Sequence, residues 1–206
     1  MSRKGPSSGR WLARQRKDPY VKRTRDADLG SRAHFKLAQL DRRFRLLSSR
    51  TGGVLELGAA PGGWTRYVAA GPARGPLVAV DRRAMRVPRR VIFVQGTYGA
   101  PDVEARLAEC FAGHGVDLVL SDMAPNISGV RSADEAAHDA LLQLATGAAL
   151  RLLNPGGTLV VKMFQNPAVD EWAEVMRRSF ERVALAKPEA SRAGSRELYG
   201  LALHRV

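Results

Sequence analysis

Val54-Leu55-Glu56-Leu57-Gly58-Ala59-Ala60-Pro61-Gly62-Gly63-Trp64 is the stretch that decides the fold. A short apolar strand runs into a loop of small residues, and a helix begins directly after it. With side chains nearly absent from the loop, a ligand can press against bare backbone. The helix that follows offers unpaired N–H groups and the positive end of its dipole. A dinucleotide fingerprint reads G-x-G-x-x-G. Here Ala59, Ala60 and Pro61 separate Gly58 from Gly62 and Gly63, so the spacing is different. A tight turn without a ligand is the plainer alternative, but few turns need three glycines and a proline together.

Outward from this loop, strands and helices alternate. Continuous apolar runs such as Val78-Ala79-Val80 and Leu118-Val119-Leu120 read as strands covered on both faces. The pattern predicts strands at 53–57, 77–80, 91–94, 116–120 and 157–163, and helices at about 63–70, 101–112, 133–153 and 168–179. Asn154-Pro155-Gly156-Gly157 marks the stop before the fifth strand. Two closing strands, about 181–187 and 197–204, form a hairpin-like pair. The implied architecture is α/β: a doubly wound, mostly parallel sheet of seven strands with the last antiparallel. Upstream, Ser31 reads as an N-cap of a helix running to about Leu47, with Ala33, Leu37, Leu40, Phe44 and Leu47 on one face. Lys36 lies about 60° from the centre of that stripe at roughly 100° per residue. A lysine there must snorkel or meet a partner.

The chain has 206 residues, which suits one domain, read as 31–206, preceded by a partly flexible basic segment, 1–30. The formal net charge is +13 and is unevenly spread: residues 1–50 hold 15 Lys/Arg against 4 Asp/Glu, the remainder 18 against 16. Such a block suits a polyanion, nucleic acid above all, although a solubilising tail has the same composition. Arg82, Arg83, Arg86, Arg89 and Arg90 form a second basic cluster. Trp11 and Tyr20, set among basic residues, could stack on bases or anchor the segment. No apolar run reaches membrane-spanning length, no secretory h-region is evident, and the single cysteine, Cys110, allows no intrachain disulfide. Cytoplasmic residence is expected, without a membrane partner. A monomer is the expectation for one basic domain. The four histidines lack ligand spacing, so no metal site is expected.

The loop Gly58-x-x-Pro61-Gly62-Gly63-Trp64 resembles the first motif of the S-adenosylmethionine-dependent methyltransferases. Open α/β sheets bind ligands beyond the carboxyl ends of their strands. Gly58, Asp81, Asp122 and Lys162 all fall at such ends. Asp81 could accept hydrogen bonds from ribose hydroxyls of adenosylmethionine or a nucleotide, or simply cap a turn. Asp122-Met123-Ala124-Pro125-Asn126 lacks the aromatic that amine methylation of a flipped base would use. Cys110 lies inside a predicted helix, which sets aside cysteine-dependent pyrimidine methylation. A ribose hydroxyl remains as acceptor. There are 6 Lys against 27 Arg, and two of the six, Lys36 and Lys162, fall at semi-buried positions beside these elements. Lysine can lose its proton when tuned; arginine effectively cannot.

Taken together, Ser31-Arg32-Ala33-His34-Phe35-Lys36-Leu37, Leu57 to Trp64, Ser121 to Ser128, Val160 to Gln165 and Ser191 to Tyr199 resemble the FtsJ-like ribose 2′-O-methyltransferases of large-subunit ribosomal RNA. The resemblance runs from Arg10-Trp11-Leu12 to Tyr199. It implies a Rossmann-like methyltransferase fold and a Lys-Asp-Lys-Glu tetrad at Lys36, Asp122, Lys162 and Glu197. It also implies S-adenosylmethionine held around Gly58, Pro61, Gly62, Gly63, Trp64, Asp81 and Asp122. Thr97 stands where the family often has an acidic residue near the adenine. The implied substrate is a uridine of 23S ribosomal RNA in the assembled 50S particle, bound through the basic N-terminal residues and Arg82–Arg90. Lys162 is then the candidate base. A free lysine has a pKa of about 10.4, so it must be tuned down. Lys36 would orient the 2′-oxygen, Asp122 would orient Lys162, and Glu197 would fix a lysine. Competing readings are a tRNA or messenger-cap 2′-O-methyltransferase, and a ribosome-assembly RNA-binding factor without turnover.

Overall fold

The protein is described by a computed structural model covering residues 29, 31–126, 128–192 and 194–206. The expectations for the basic N-terminal segment, including Trp11 and Tyr20, lie outside the described residues. The elements are α1 (Ala33–Phe44), β1 (Gly53–Leu57), α2 (Gly63–Ala70), β2 (Leu77–Asp81), β3 (Val91–Gln95), α3 (Pro101–Cys110) and β4 (Val116–Ser121). They continue with α4 (Arg131–Leu152), β5 (Leu153–Phe164), α5 (Ala168–Met176), β6 (Phe180–Ala186) and β7 (Glu197–Arg205).

One seven-stranded sheet has the order β3-β2-β1-β4-β5-β7-β6. Strands β1 to β5 pair in parallel, and β7 runs antiparallel to both β5 and β6. The expected antiparallel last strand is present, and its position matters. Rather than lying at the edge, β7 is inserted between β5 and β6. It thereby sets Glu197 opposite Phe164 and Tyr199 opposite Lys162.

Every residue of β1 is buried, which explains its unbroken apolar character apart from Glu56. Helices cover both faces. One core layer joins Leu57, Val119, Val161 and Met163 to residues of α3, α4 and α5. The other joins Leu118, Val160 and Leu201 to Leu37 and Leu40 of α1 and Trp64 and Val68 of α2. Leu37 is 0% and Leu40 2% exposed; burying each such side chain is worth roughly 1.5–3 kcal/mol. That burial holds α1, and with it Lys36, against the sheet.

Several boundaries differ from the sequence reading, and those nearest the site have clear causes. Helix α1 stops at Phe44, before Leu47, because Arg45 turns left-handed at φ 56° and Asp41 Oδ1 accepts the Leu47 amide at 2.9 Å. Its formal N-cap is Arg32, while Ser31 Oγ accepts the Ala33 amide at 3.2 Å. Strand β5 begins at Leu153, not 157, because Leu153 pairs with Val116. Asn154 Nδ2 donates to Asp117 Oδ1 at 2.8 Å and stitches the irregular start of the strand to β4.

Candidate active site

A cleft of about 660 Å³ opens beyond the carboxyl ends of β1, β2 and β4, where the strand order reverses. That is where an open α/β sheet takes its ligand. Its walls include Gly58, Asp81, Thr97, Met123, Asp122 and Lys162. At Gly58, φ is +75°, and a Cβ would come within 2.8 Å of the Met123 backbone. Only glycine lets the first loop pass so close to the loop after β4. Asp81 pins the same loop. Its Oδ2 accepts the Ala60 amide at 2.8 Å, and its Oδ1 accepts the Arg83 amide at 2.8 Å.

The rest of the glycine motif is used differently. Among the described residues, Pro61, Gly62, Gly63 and Trp64 do not line the cleft. Pro61 is exposed, and Gly62 and Gly63 are buried. A Cβ on Gly63 would collide with Ser31 Oγ, so this glycine lets α2 meet the start of α1. Trp64 is 1% exposed, donates its indole N–H to Ala33 O at 2.8 Å, and stacks obliquely on Tyr199 at 5.6 Å. Its side chain packs the floor of the neighbouring site.

That neighbouring site brings together Lys36, Asp122, Lys162 and Glu197. Lys36 Nζ lies 2.6 Å from Glu197 Oε1, the partner its place on α1 demanded. Lys162 Nζ lies 3.1 Å from Asp122 Oδ1 and donates to Asp122 O at 2.6 Å. Tyr199 joins the two pairs. Its hydroxyl accepts from Lys36 at 3.4 Å and donates to Asp122 Oδ1 at 3.1 Å. Ser191 Oγ donates to Glu197 Oε1 at 3.0 Å. The result is one chain of hydrogen bonds in which two cations face two carboxylates. Buried charges in such a network are tolerable because each has a partner. Burial, reinforced by the Asp122 and Glu197 charges, raises the Tyr199 pKa well above its ordinary value, so the group stays a neutral phenol. The sequence reading missed Tyr199 as a site residue. The available signal was period two: on a strand, Tyr199 shares a face with Glu197.

Glu56 was missed as well. It is 4% exposed within β1 and accepts the Thr65 hydroxyl at 2.7 Å. Desolvation is the main cause that pushes its pKa up to about 8, and the Asp122 and Asp81 charges add to it. A neutral Glu56 limits the negative charge beneath the cleft.

The second basic cluster is partly structural. Arg90 donates to Ala69 O at 3.2 Å, to Gly71 O at 3.3 Å and to Ala73 O, closing the carboxyl end of α2. Arg83 donates to Ala60 O at 2.9 Å. Arg82, Arg86 and Arg89 are exposed.

The donor set of the cleft fits S-adenosylmethionine. Asp81 could accept from ribose hydroxyls and Asp122 could face a cationic amino acid end, while Val80, Tyr98, Met123 and Leu144 form an apolar wall. A doubly wound sheet, a glycine loop after β1 and a charged site beside it together define a Rossmann-like methyltransferase. The chain belongs to the FtsJ-like methyltransferase family, whose model matches residues 29–205. A relative from Coxiella burnetii named ribosomal RNA large subunit methyltransferase E is 42% identical over 201 residues, covering 95% of this chain and 94% of its own. One of the same name from Pseudomonas aeruginosa is 42% identical over 198 residues, covering 95% of each chain. A crystal structure of a Plasmodium falciparum protein, described as a ribosomal RNA methyltransferase, superposes with a TM-score of 0.75. It is 25% identical and covers 85% of this chain and 98% of its own.

Proposed function

We propose that this protein methylates a ribose 2′-hydroxyl of large-subunit ribosomal RNA, using S-adenosylmethionine as methyl donor. The observation that carries this reading is the abutment of the cleft and the tetrad. Lys162 lines the cleft and is held by Asp122, which belongs to both. The names of the relatives supply the substrate class, and the family resemblance supplies a uridine in the assembled 50S particle.

In this reading Gly58, Asp81, Thr97 and Asp122 hold the cofactor, with the backbone around Pro61, Gly62, Gly63 and Trp64 shaping the loop. The cofactor supplies an electrophilic methyl group. A ribose hydroxyl is a poor nucleophile until its proton is drawn off; Lys162, once its ammonium has released a proton to solvent, would take that proton on the free amine as the new O–C bond forms and the methyl–sulfur bond of the donor breaks. Asp122 fixes the direction of the Lys162 amine through two contacts on one residue. Lys36, anchored by Glu197, orients the 2′-oxygen and offsets its developing charge. Holding the oxygen in line carries a share of the rate comparable with proton removal. The enzyme works as a cytoplasmic monomer. The N-terminal basic residues together with Arg82, Arg86 and Arg89 bind phosphates, which gives salt-sensitive affinity with little sequence information.

The test is tritiated-methyl transfer to isolated large subunits lacking the modification, beside naked ribosomal RNA, tRNA and capped RNA, with nucleoside analysis. A 2′-O-methylated nucleoside from subunits alone supports the proposal. Label confined to tRNA or cap keeps the chemistry and overturns the substrate. No label, with adenosylmethionine still bound, favours an assembly factor without turnover.

A further inference from the structure

A second cavity, of about 390 Å³, lies across the loop that follows β4. Pro125 lines both cavities. Phe164, on the wall of the second, stands two residues beyond Lys162, at the carboxyl end of β5. It is also the register partner of Glu197. The second cavity therefore adjoins the tetrad, just as the cofactor cleft does from the other direction.

Its wall contains an unusual group. His138 of α4 is 3% exposed, and among the described residues neither Nδ1 nor Nε2 has a hydrogen-bond partner. The imidazole stands edge-on to Phe164, with centroids 4.3 Å apart and planes at 87°. Desolvation lowers its pKa and the Lys162 charge acts the same way, against an opposing contribution from Asp139. A neutral imidazole carries one donor and one acceptor. Leaving such buried groups unpaired carries their full desolvation penalty.

The charges around it, by contrast, are satisfied. Glu135 pairs with Arg131 at 2.9 Å and with Arg196 at 3.7 Å, and Arg196 donates to Gln165 O at 2.9 Å. Asp134 accepts from the Ser128 amide and hydroxyl, each at 2.7 Å, and from Gly129 at 3.1 Å. Among the described residues of the lining, the buried polar atoms left without a partner are therefore the two nitrogens of His138.

We propose that this cavity seats the nucleobase of the nucleotide whose ribose is methylated, with Phe164 and Pro125 as its apolar walls and His138 reading its polar edge. The proposal rests on the RNA ribose methyltransferase reading above. A ribose placed at the tetrad carries its base one glycosidic bond away. One side is taken by the cofactor cleft, so the base turns to the other. The volume lies within the usual range for ligand pockets, roughly 300–1,000 Å³. Splayed RNA bases are held by apolar contact and by hydrogen bonds to their edges. A phosphate would have to compete with Glu135 for Arg131 and Arg196, which that carboxylate already pairs, and would meet Asp134 and an uncharged imidazole besides. An alkyl group would leave His138 unpaired. In this arrangement His138 is a specificity-determining residue, separate from the groups that move the proton.

The test uses the full chain, wild type beside His138→Phe and His138→Ala. The first fills the space without polar atoms; the second empties it. Both are expected to lower kcat/KM for large ribosomal subunits about tenfold, the effect of losing one hydrogen bond to a buried neutral group. Adenosylmethionine affinity and melting temperature are expected to hold for His138→Phe. In parallel, the ¹⁵N-histidine-labelled wild type, saturated with S-adenosylhomocysteine, is titrated with uridine 5′-monophosphate and with ribose 5-phosphate. The His138 resonances are expected to move with the nucleotide and stay still with the sugar phosphate. Wild-type kcat/KM in both variants, or equal response to the two probes, overturns the base seat while leaving the methyltransferase reading intact. A wild type that methylates no RNA defeats that reading instead, and the base seat then stands or falls on the titration.

Discussion

Around Asp81 and Gly58 the site is made of backbone; around Lys162 it is made of side chains. In the first region a left-handed glycine passes against Met123 while one carboxylate gathers the Ala60 and Arg83 amides. In the second, α1, the end of β4, β5 and β7 each contribute one charged group, and a tyrosine hydroxyl links them. A backbone cradle suits recognition of a cofactor that varies little. Paired side chains suit chemistry, because a proton can be taken only by a group that can release and regain one. Under the proposed function this contrast implies that binding and turnover separate except at Asp122, which belongs to both regions, so mutations elsewhere should pull them apart.

The largest separation is expected from Lys162→Ala. Loss of a general base lowers methyl transfer by about 10²–10⁴-fold, with adenosylmethionine and subunits still bound. Near-wild-type turnover in a variant that binds both would remove Lys162 from the role of base. Next is Asp81→Ala, which acts on the other region. Hydrogen bonds to a charged acceptor are worth about 1.5–3 kcal/mol, so adenosylmethionine affinity falls by about 10–100-fold. Calorimetry reads the loss directly, and turnover at saturating cofactor should change far less. If kcat fell as much as affinity, the two regions would not be separable.

Tyr199→Phe sharpens the comparison because it keeps the ring against Trp64 and removes only the hydroxyl between the ion pairs. Turnover is expected to fall about tenfold, since the hydroxyl's two hydrogen bonds are lost together and the one to Lys36, at 3.4 Å, is long, while cofactor affinity is unchanged. Equal rates for the variant and the wild type would show that the two ion pairs act independently.

The smallest effect concerns Glu56, beneath both regions. Its folded pKa of about 8 lies above the ordinary value of 4.5. The protonated form is therefore favoured by folding. That stabilisation is complete below about pH 4.5 and is lost as the pH rises through about 8. Glu56→Gln, which can still accept from Thr65, should melt with a flatter pH dependence across this window. Parallel melting curves for variant and wild type would show that Glu56 is not held neutral.

The cofactor region was legible in the sequence because it is local. Apolar strands ending in Gly58, Asp81 and Ser121-Asp122 need only the rule that ligands bind at strand ends. Lys36 was legible as an anomaly, a lysine near an apolar stripe, and its partner Glu197 sits 161 residues away. The four tetrad positions came from the family pattern and not from spacing. Arg90 read as part of a phosphate-binding cluster, yet it caps α2, because free helix carbonyls attract a nearby guanidinium as readily as phosphate does. Trp64 read as a cofactor residue; its indole packs on Ala33 and Tyr199, which leaves its backbone for that role.

By itself, then, the sequence determined the doubly wound plan, the glycine cleft and the concentration of positive charge, since periodicity, turn chemistry and composition act over short distances. Only the tertiary structure decided that β7 enters between β5 and β6, and everything that depends on that insertion follows from it. Cross-strand register sets Tyr199 opposite Lys162 and Glu197 opposite Phe164. Register is a property of the paired sheet, fixed by which faces are buried together, and no single strand carries it alone.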